Sequence, residues 1–310
     1  MTHAPPAYVG RFAPSPTGPL HFGSLIAAAG SFLEARGHGG RWLLRIEDVD
    51  APRCVPGAAA AILRTLERFG FEWDGEVLWQ SHRHAAYDAA LARLDALGAL
   101  FPCACSRREL ADSALARDGS RVYPGTCRNG LAAGRSARAW RVRVRGAVDF
   151  VDAVQGPQHE DLEGEVGDFI VRRADGLYAY QLAVVVDDAD SGVTDVVRGA
   201  DLLDSSARQC YLQDLLGLPR PRYAHLPVAT NAAGEKLSKQ TLATAVDTLP
   251  AAAALVAALR FLGQNPPTAL AHATLDEVWQ WARAHWTLAA VPRVRQQPAR
   301  DILPDPGSTS

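Results

Sequence analysis

Apolar and polar positions along the first hundred residues follow two periods, two residues for strands and about 3.6 for helices. Strands are predicted at 8–13 and 42–46, and helices from His21 to about residue 36, at 58–69 and at 85–97. This β-α-β-α order is typical of a doubly wound α/β fold built on a parallel sheet. Ligands of such folds bind beyond the carboxyl ends of the strands.

The middle of the chain has a different pattern, which predicts an inserted subdomain at 101–176. This region contains closely spaced cysteines, a predicted helix at 107–116 and strand-like alternation at 140–145. A near-continuous apolar run at 178–186 then predicts a buried strand. The remaining predicted elements are helices at 205–216, 248–262 and 275–285 and a short strand at 224–228.

These patterns divide the chain into five parts. Residues 1–100 and 177–245 are predicted to be two halves of one α/β domain, separated by the insertion at 101–176. Residues 246–300 are predicted to be a short helical region, and the polar residues 301–310 a disordered tail.

Composition excludes several classes of protein. With 48% hydrophobic and 21% charged residues, the chain of 310 residues is an ordinary globular protein. It has no run of about eighteen apolar residues, so no membrane span is expected. The amino terminus does not resemble a secretory signal, and five cysteines are an odd number, so we expect a cytoplasmic protein without a disulfide framework. The net charge of −2 means that any nucleic acid must be bound by local basic patches.

The chain is unusually poor in lysine. Its 32 basic residues include only two lysines, Lys236 and Lys239, and the other thirty are arginines. An ammonium group is a compact point charge that can follow a moving phosphate, whereas a guanidinium is a planar fork. Two lysines within four residues therefore indicate a phosphate site rather than chance clustering.

The segment from Pro14 to Ser24, which joins the first predicted strand to the first helix, carries candidate chemistry. Its Pro and Gly residues keep the backbone open, and the helix N-terminus offers unpaired N–H groups to a phosphate. His21 can donate to a phosphate oxygen as charge builds, and Gly23 lets a flat ring approach the backbone. Taken alone, the segment is equally well interpreted as a plain strand–helix connection.

Four segments together resemble the glutamyl- and glutaminyl-tRNA synthetases, which are class I synthetases. They lie at 10–24, 44–53, 184–203 and 236–240, and the resemblance extends over about residues 8–245. Ser24 departs from the first signature of that family, which has histidine there, and Gln240 replaces a serine of the second signature. The resemblance implies a class I Rossmann-type catalytic core that activates an amino acid on ATP.

The resemblance also implies a role for individual residues. The catalytic residues would be His21, Lys236 and Lys239, and ATP with its Mg²⁺ would be bound by His21, Gly23, Ser24 and Lys239. Glutamate would be bound by Arg11, Phe12, Ala13, Pro14, Ser15, Glu47, Tyr180 and Arg198. An amino acid with a side-chain carboxylate needs two cationic partners and one anionic partner, which Arg11, Arg198 and Glu47 would supply. Arg198 has one alternative interpretation, a structural ion pair with Asp195 or Asp201.

The acceptor is suggested by the 71 residues that follow Lys239. They leave room for a few helices rather than for an anticodon-binding domain, so the chain is most similar to the truncated paralogues, the glutamyl-queuosine tRNA(Asp) synthetases. That similarity implies transfer of L-glutamate to the queuosine base in the anticodon loop of tRNA(Asp). We also expect a monomer. Two alternatives stay open: a short synthetase that charges the 3′ end of tRNA(Glu), and a non-catalytic RNA-binding paralogue.

The insertion contains candidate metal ligands. Cys103, Cys105 and Cys127 offer three thiolates, but a fourth ligand is not obvious from the spacing. By resemblance to the paralogues, Tyr123 is the fourth ligand of one structural Zn²⁺ per chain. The alternative is three reduced, buried cysteines.

RNA contacts are less clearly marked. If 140–145 is a strand, Arg141, Arg143 and Arg145 share one face, which could lie along phosphates or simply be solvated. Trp279, Trp281 and Trp286 near the end of the chain are better explained by helix packing than by stacking on bases.

Overall fold

The computed structural model describes residues 7–231, 234–236 and 245–299. Twelve strands lie in this part of the chain: β1 Val9–Phe12, β2 Arg41–Ile46, β3 Leu78–Trp79, β4 Leu100–Cys103, β5 Ala139–Val142, β6 Val148–Asp152, β7 Gly156–Glu160, β8 Phe169–Arg172, β9 Asp195–Gly199, β10 Arg222–Leu226, β11 Val228–Thr230 and β12 Gln296–Pro298. Seven α-helices accompany them there: α1 Phe22–Gly37, α2 Ala58–Arg68, α3 His84–Ala96, α4 Tyr180–Asp190, α5 Leu203–Leu216, α6 Ala251–Phe261 and α7 Leu275–His285.

Two sheets with parallel strands meet edge to edge. The first has the order β1-β2-β3, with all pairs parallel, and the second has the order β7-β6-β10-β9, in which only β7 is antiparallel. At the junction, the N–H of Thr194 donates to the carbonyl of Val9 at 2.9 Å, and the N–H of Val9 donates to Thr194 Oγ1 at 2.9 Å. Because β1 and β9 start side by side, their carboxyl ends lie at the same edge.

Helix α1 is buried between this sheet edge and the C-terminal helices. Its buried residues include Phe22, Leu25 and Phe32, which share one apolar core with residues of α6 and α7. Gly30 allows α1 to approach β10 closely, since a Cβ at this position would come within 2.5 Å of Leu226 Cδ1. This close packing fixes the direction in which the N-terminus of α1 points.

The middle of the chain forms an antiparallel sheet of order β4-β5-β8 with its own small core around Phe101 and Tyr123. The hairpin β6–β7, however, is not part of that sheet. Strand β6 pairs with β10 at Asp152 and Tyr223, so the hairpin extends the second parallel sheet. The division of the chain into five parts stays a prediction, and the proposed tail lies outside the described residues.

The apolar run at 178–186 is a helix, so the prediction of a buried strand was wrong. Helix α4 begins at Tyr180, and its residues Leu182 to Val186 are all buried. Periodicity could not separate the two structures, because a helix enclosed on every side has no polar stripe.

Two predictions in the insertion also need correction. Instead of a helix at 107–116, there is a single 3₁₀ turn, Arg108–Leu110, after which the chain runs through turns. No apolar face holds a longer helix there, and Leu115 is exposed. The strand predicted at 140–145 ends at Val142. The other strands and helices predicted within the described residues are present, with ends within three residues of the predicted ones. No described helix is long and apolar enough to cross a membrane.

Candidate active site and metal centre

One cavity of about 600 Å³ opens where the carboxyl ends of β1, β2 and β9 meet. It is lined by every described residue that the sequence predicted for the glutamate and ATP sites: Arg11, Phe12, Ala13, Pro14, Ser15, His21, Gly23, Ser24, Glu47, Tyr180, Arg198 and Lys236. Lys239 lies outside the described residues. Segments separated by up to about two hundred residues thus form a single site, as expected for an α/β fold.

The N-terminus of α1 faces this cavity. His21 is the N-cap, with extended backbone, and Gly23 and Ser24 of the first turn line the cavity wall. The first turn carries no acidic residue, so nothing there opposes the positive end of the helix dipole. The cap is fixed from outside by the N–H of Val246, which donates to Leu20 O at 3.0 Å. This wall is suited to bind phosphate.

Arg198 is a buried cation with neutral partners. Its side chain lies on β9, and the residue is 5% exposed. Nε donates to Nε2 of His225 at 2.9 Å, and Nη1 donates to the phenol oxygen of Tyr180 at 3.3 Å. Nη2 donates to Ser206 Oγ and to Gln209 Oε1, each at 2.8 Å. Among the described residues, no carboxylate forms an ion pair with this guanidinium.

The alternative interpretation of Arg198 is therefore wrong. Asp195 pairs with Arg222, with Nε and Oδ1 2.6 Å apart, and Asp201 pairs with Lys236. A buried guanidinium without a counter-ion is costly unless a ligand supplies the negative charge. The cavity wall at Arg198 is thus electrostatically incomplete without an anion.

A second charge cluster includes two residues that line the cavity, Arg11 and Glu47. Nε of Arg11 and Nη1 of Arg45 both donate to Oδ1 of Asp188, at 3.2 and 2.6 Å, and Nη2 of Arg45 donates to Oε1 of Glu47 at 3.2 Å. Burial opposes ionisation of Asp188, but the two guanidinium groups outweigh it and lower its pKa. Burial raises the pKa of Glu47, although Arg45 and Arg11 partly offset this. Two cations and two carboxylates are thereby held together, with Arg11 and Glu47 at the cavity wall.

Within this cluster, Arg11 uses Nε for Asp188. Its Nη atoms have no hydrogen-bond partner in the part of the chain that the structure describes, and the residue lines the cavity. The planar fork is therefore held at one edge while its other edge is available to a carboxylate. Glu47 follows β2 directly and is tied to the first loop, because its N–H donates to Pro14 O at 3.0 Å.

The four predicted metal ligands lie together in the insertion. The Sγ atoms of Cys103, Cys105 and Cys127 are all within 4.8 Å of one another, and this is the one such group of three or more His, Cys, Asp or Glu among the described residues. The phenol oxygen of Tyr123 lies 3.6 Å from Cys103 Sγ and 3.8 Å from Cys105 Sγ. The three cysteines are free thiols, not disulfides.

These distances fit one tetrahedral zinc ion. With Zn–S bonds of about 2.3 Å and a Zn–O bond of about 2.0 Å, the ligand atoms lie about 3.5–3.8 Å apart. Cys105 and Cys127 Sγ are 3.6 Å apart. Burial raises the pKa of Cys105 to about 11, so a nearby dication is what would hold its thiolate at neutral pH.

The arginine stretch beside this centre does not form a free basic face. Arg141 is buried, donating from Nε to Cys103 Sγ at 3.3 Å and from Nη1 to Asp168 O at 2.7 Å. Its guanidinium carbon also lies 3.8 Å from the ring centroid of Tyr123. Arg143 donates to Arg128 O at 2.7 Å, which leaves Arg145 as the exposed member. The hypothesis that three arginines of one strand line RNA phosphates was wrong.

The model of the family described as tRNA synthetases class I (E and Q), catalytic domain, matches residues 8–280. The chain belongs to the class I tRNA synthetases (E and Q). As a member of this family, it is a ligase whose substrates are ATP, an amino acid and tRNA.

Relatives are similar over nearly the whole chain. A protein named glutamyl-Q tRNA(Asp) synthetase from Aromatoleum aromaticum is 69% identical over 296 residues, covering 96% of this chain and 94% of its own length. The protein of the same name from Dechloromonas aromatica is 64% identical, covering 92% of this chain and 96% of its own length. A solved structure of glutamate-tRNA synthetase from Elizabethkingia anophelis has a TM-score of 0.74 at 24% identity, covering 96% of this chain and 69% of that one. It supports the fold alone, and the predicted α/β class I fold is confirmed.

In this class I synthetase site, sequence reasoning assigned no role to several supporting residues. Asp188 and Arg45 were part of the matching segments. Only the structure shows that Oδ1 of Asp188 accepts hydrogen bonds from both Arg45 and Arg11 and so holds Arg11 in place. His225 and Gln209 behind Arg198 were not singled out. The one sequence signal for Asp188 was its place in an acidic pair at the end of an apolar run. A carboxylate that is buried at such a position needs charged or hydrogen-bonding partners.

Proposed function

We propose that the protein activates L-glutamate on ATP as glutamyl-adenylate and transfers the glutamyl group to the queuosine base in the anticodon loop of tRNA(Asp). The observation that carries the first step is Arg198, a buried guanidinium on the cavity wall without a carboxylate partner among the described residues. The relatives named glutamyl-Q tRNA(Asp) synthetase support the acceptor.

Glutamate fits the charges of the cavity. Arg198 with the Tyr180 phenol would bind a carboxylate of the substrate, and the Nη edge of Arg11 would bind a carboxylate as a fork. Glu47 would receive the α-ammonium group. The cavity wall beside these charged groups would be formed by Phe12, Ala13, Pro14 and Ser15. Glutamine, which lacks the side-chain charge, would leave a buried cation uncompensated.

The activation step needs no side-chain nucleophile. An oxygen of the substrate α-carboxylate attacks the α-phosphorus of ATP, the bond from that phosphorus to the bridging oxygen breaks, and pyrophosphate leaves with the electron pair. His21, the first-turn N–H groups at Gly23 and Ser24, and Lys236 would stabilise the growing charge on the phosphates. Lys239, by its resemblance to the second signature, would do the same.

Two metal ions belong to this proposal. Mg²⁺ would be held mainly by the ATP phosphates and would supply charge neutralisation. Zn²⁺ would be held by Cys103, Cys105, Cys127 and Tyr123, where it would brace the insertion without taking part in the reaction. In the second step, a hydroxyl of the queuosine base attacks the glutamyl carbonyl. The bond from that carbon to the phosphate oxygen breaks, AMP leaves with the electron pair, and the hydroxyl proton is released to solvent. We further propose a cytoplasmic monomer, as the sequence predicts.

Pyrophosphate exchange tests the activation step. With ATP and labelled pyrophosphate but no tRNA, glutamate is expected to drive label into ATP, while glutamine and aspartate at equal concentration do so at least tenfold more slowly. An Arg198→Gln variant removes the charge and is expected to lose most of the exchange. Absence of exchange in the wild-type protein would contradict the whole enzymatic proposal and would favour the non-catalytic RNA-binding alternative.

Charging assays test the acceptor. Labelled glutamate is expected to attach to queuosine-containing tRNA(Asp) but not to queuosine-free tRNA(Asp) or to tRNA(Glu). Queuosine-containing tRNA(Asp) without its 3′-terminal adenosine is the sharpest substrate, since it retains the base and lacks the other attachment site. Labelling of tRNA(Glu), or dependence on the 3′ adenosine, would instead favour a short synthetase of the ordinary kind.

A further inference from the structure

Behind Arg198, hydrogen bonds connect side chains from three neighbouring strands. Nδ1 of His225 on β10 lies 2.6 Å from Oδ2 of Asp152, the last residue of β6, and Nε2 of His225 accepts from Nε of Arg198 on β9. His225 and Arg198 are direct cross-strand partners. All three residues are at most 5% exposed, and neither Asp152 nor His225 lines the cavity.

The proton of His225 has one position that satisfies both neighbours. Asp152 offers a carboxylate to Nδ1, so Nδ1 must carry the proton, while the N–H of Arg198 points at Nε2, which must therefore accept. Oδ1 of Asp152 is occupied by the backbone N–H groups of Val154, Gln155 and His225, at 2.8–3.1 Å. The carboxylate is thus fixed before it meets the imidazole.

The charge states agree with this arrangement. Burial opposes ionisation of Asp152, but the hydrogen bond from His225 and the backbone N–H bonds outweigh it and lower its pKa. Burial, assisted by the charge of Arg198, lowers the pKa of His225 to about 4. At neutral pH the ring is therefore uncharged, so it orients the guanidinium of Arg198 without neutralising it.

We propose that Asp152 and His225 are positioning residues for glutamate recognition, in which Asp152 fixes the His225 tautomer and His225 holds Arg198 against Tyr180 as an uncompensated cation. This inference rests on the proposed activation of glutamate. A neutral support has a consequence for specificity, because a carboxylate in place of His225 would satisfy Arg198 internally and reduce its preference for an anionic substrate.

The test compares variants that differ in hydrogen-bonding direction at nearly constant shape. Asp152→Asn presents an amide donor to Nδ1 and forces the proton to Nε2, where it opposes the N–H of Arg198. In His225→Gln, the longer side chain can place its amide oxygen near the Nε2 position, where it accepts from Arg198. In His225→Asn, the shorter side chain places its amide near the Nδ1 position, and Arg198 loses its acceptor. Gln264→Leu is the control, since it removes a buried amide that bonds to Leu262 O and Thr287 O away from the cavity.

Pyrophosphate exchange is measured with glutamate and ATP varied separately. Asp152→Asn and His225→Asn are expected to raise KM for glutamate about 10- to 100-fold, the loss of one charge-assisted hydrogen bond, with KM for ATP changed less than twofold. His225→Gln is expected to stay within a few-fold of wild type, and Gln264→Leu to lower thermal stability without changing either KM. In ¹⁵N NMR, the His225 signal, assigned by its absence in His225→Gln, should show the proton on Nδ1 in wild type and on Nε2 in Asp152→Asn.

The outcomes separate the two proposals. A wild-type protein that does not exchange contradicts the proposed function itself. If wild type exchanges, three results overturn the inference: an unchanged KM for glutamate in Asp152→Asn, equal effects of His225→Gln and His225→Asn, or a parallel rise in both KM values.

Discussion

Nη1 of Arg198 donates to the phenol oxygen of Tyr180 at 3.3 Å, which joins strand β9 to the first residue of helix α4 at the cavity wall. The two side chains come from elements that begin fifteen residues apart in sequence, yet they present a cation and a hydroxyl to the same space. This pairing is the basis of the proposed preference for an anionic substrate.

Substitutions at this pair test carboxylate recognition. Tyr180→Phe removes one neutral partner of Arg198 and is expected to raise KM for glutamate about 2- to 10-fold. Arg198→Lys keeps the charge but loses the fork and its contacts, so a larger rise of about 10- to 100-fold is expected. Exchange kinetics with varied glutamate measure both effects. Equal losses in the two variants would mean that Arg198 contributes no more than its hydroxyl partner.

The cluster of Arg11, Arg45, Asp188 and Glu47 predicts a strong effect on stability. Asp188→Asn leaves two buried guanidinium groups facing one carboxylate, so the free energy of unfolding should fall by about 3–5 kcal/mol. Asp214→Asn, which breaks an exposed pair with Arg220, should cost less than about 1 kcal/mol. Urea unfolding monitored by tryptophan fluorescence compares the two. Similar losses for both variants would show that the buried cluster contributes no more to the free energy of unfolding than an exposed ion pair.

The first turn of α1 predicts an electrostatic effect on ATP. Ser24→Asp adds a negative charge at a helix N-terminus that faces the proposed phosphate site, and it is expected to raise KM for ATP at least tenfold. Ser24→Ala, the uncharged control, should change it by less than about threefold. KM for glutamate should stay nearly constant in both. An unchanged KM for ATP in Ser24→Asp would place the phosphates elsewhere.

The proposed zinc site predicts how much metal the protein binds and which ligands matter most. Metal analysis of the purified protein is expected to find about one zinc per chain. Cys105→Ser should abolish it, while Tyr123→Phe should weaken binding but leave three thiolates. Cys54→Ser, at a cysteine outside the cluster, is the control and should change nothing. Chelation should lower the melting temperature, and full zinc affinity in Tyr123→Phe would exclude the phenol as a ligand.

His225 predicts how stability depends on pH. Its pKa is lowered from 6.5 to about 4 in the folded protein. Between these values the unfolded chain binds a proton that the folded chain does not, so the stability due to the neutral ring is fully present above pH 6.5 and is lost as the pH falls toward 4. At about 1.36 kcal/mol per pKa unit, the loss between pH 7.5 and 5 is on the order of 2 kcal/mol.

Unfolding by urea at pH 7.5 and 5 measures this loss. Wild type should lose roughly 2 kcal/mol more than His225→Gln over that interval, since the variant has no titrating ring at this position. Subtracting the loss measured for His225→Gln from the loss measured for wild type removes the contributions of other titrating groups. Parallel pH dependence in the two proteins would mean that the imidazole does not change its protonation on unfolding.

The sequence by itself determined the class of site. The segment around His21 and the lysine pair at 236 and 239 were singled out from residue types and spacing, and the roles of Arg11, Glu47 and Arg198 were implied by the resemblance to the synthetases. The structure brings all of the described ones to a single cavity. Local pattern was sufficient because Arg11, Glu47 and Arg198 lie near or directly after the carboxyl ends of β1, β2 and β9, and ligands of such folds bind at the carboxyl ends of parallel strands.

Tertiary structure alone decided what surrounds those residues. The apolar run at 178–186 was predicted as a strand and is helix α4, because burial on every side removes the polar stripe that marks a helix. Arg141 was a candidate RNA contact and is instead buried against Cys103. Asp152 and His225 are 73 residues apart, so their hydrogen bond depends on strand pairing that no local pattern encodes. Local pattern specifies which groups a site contains, but long-range packing determines which of them carry an uncompensated charge.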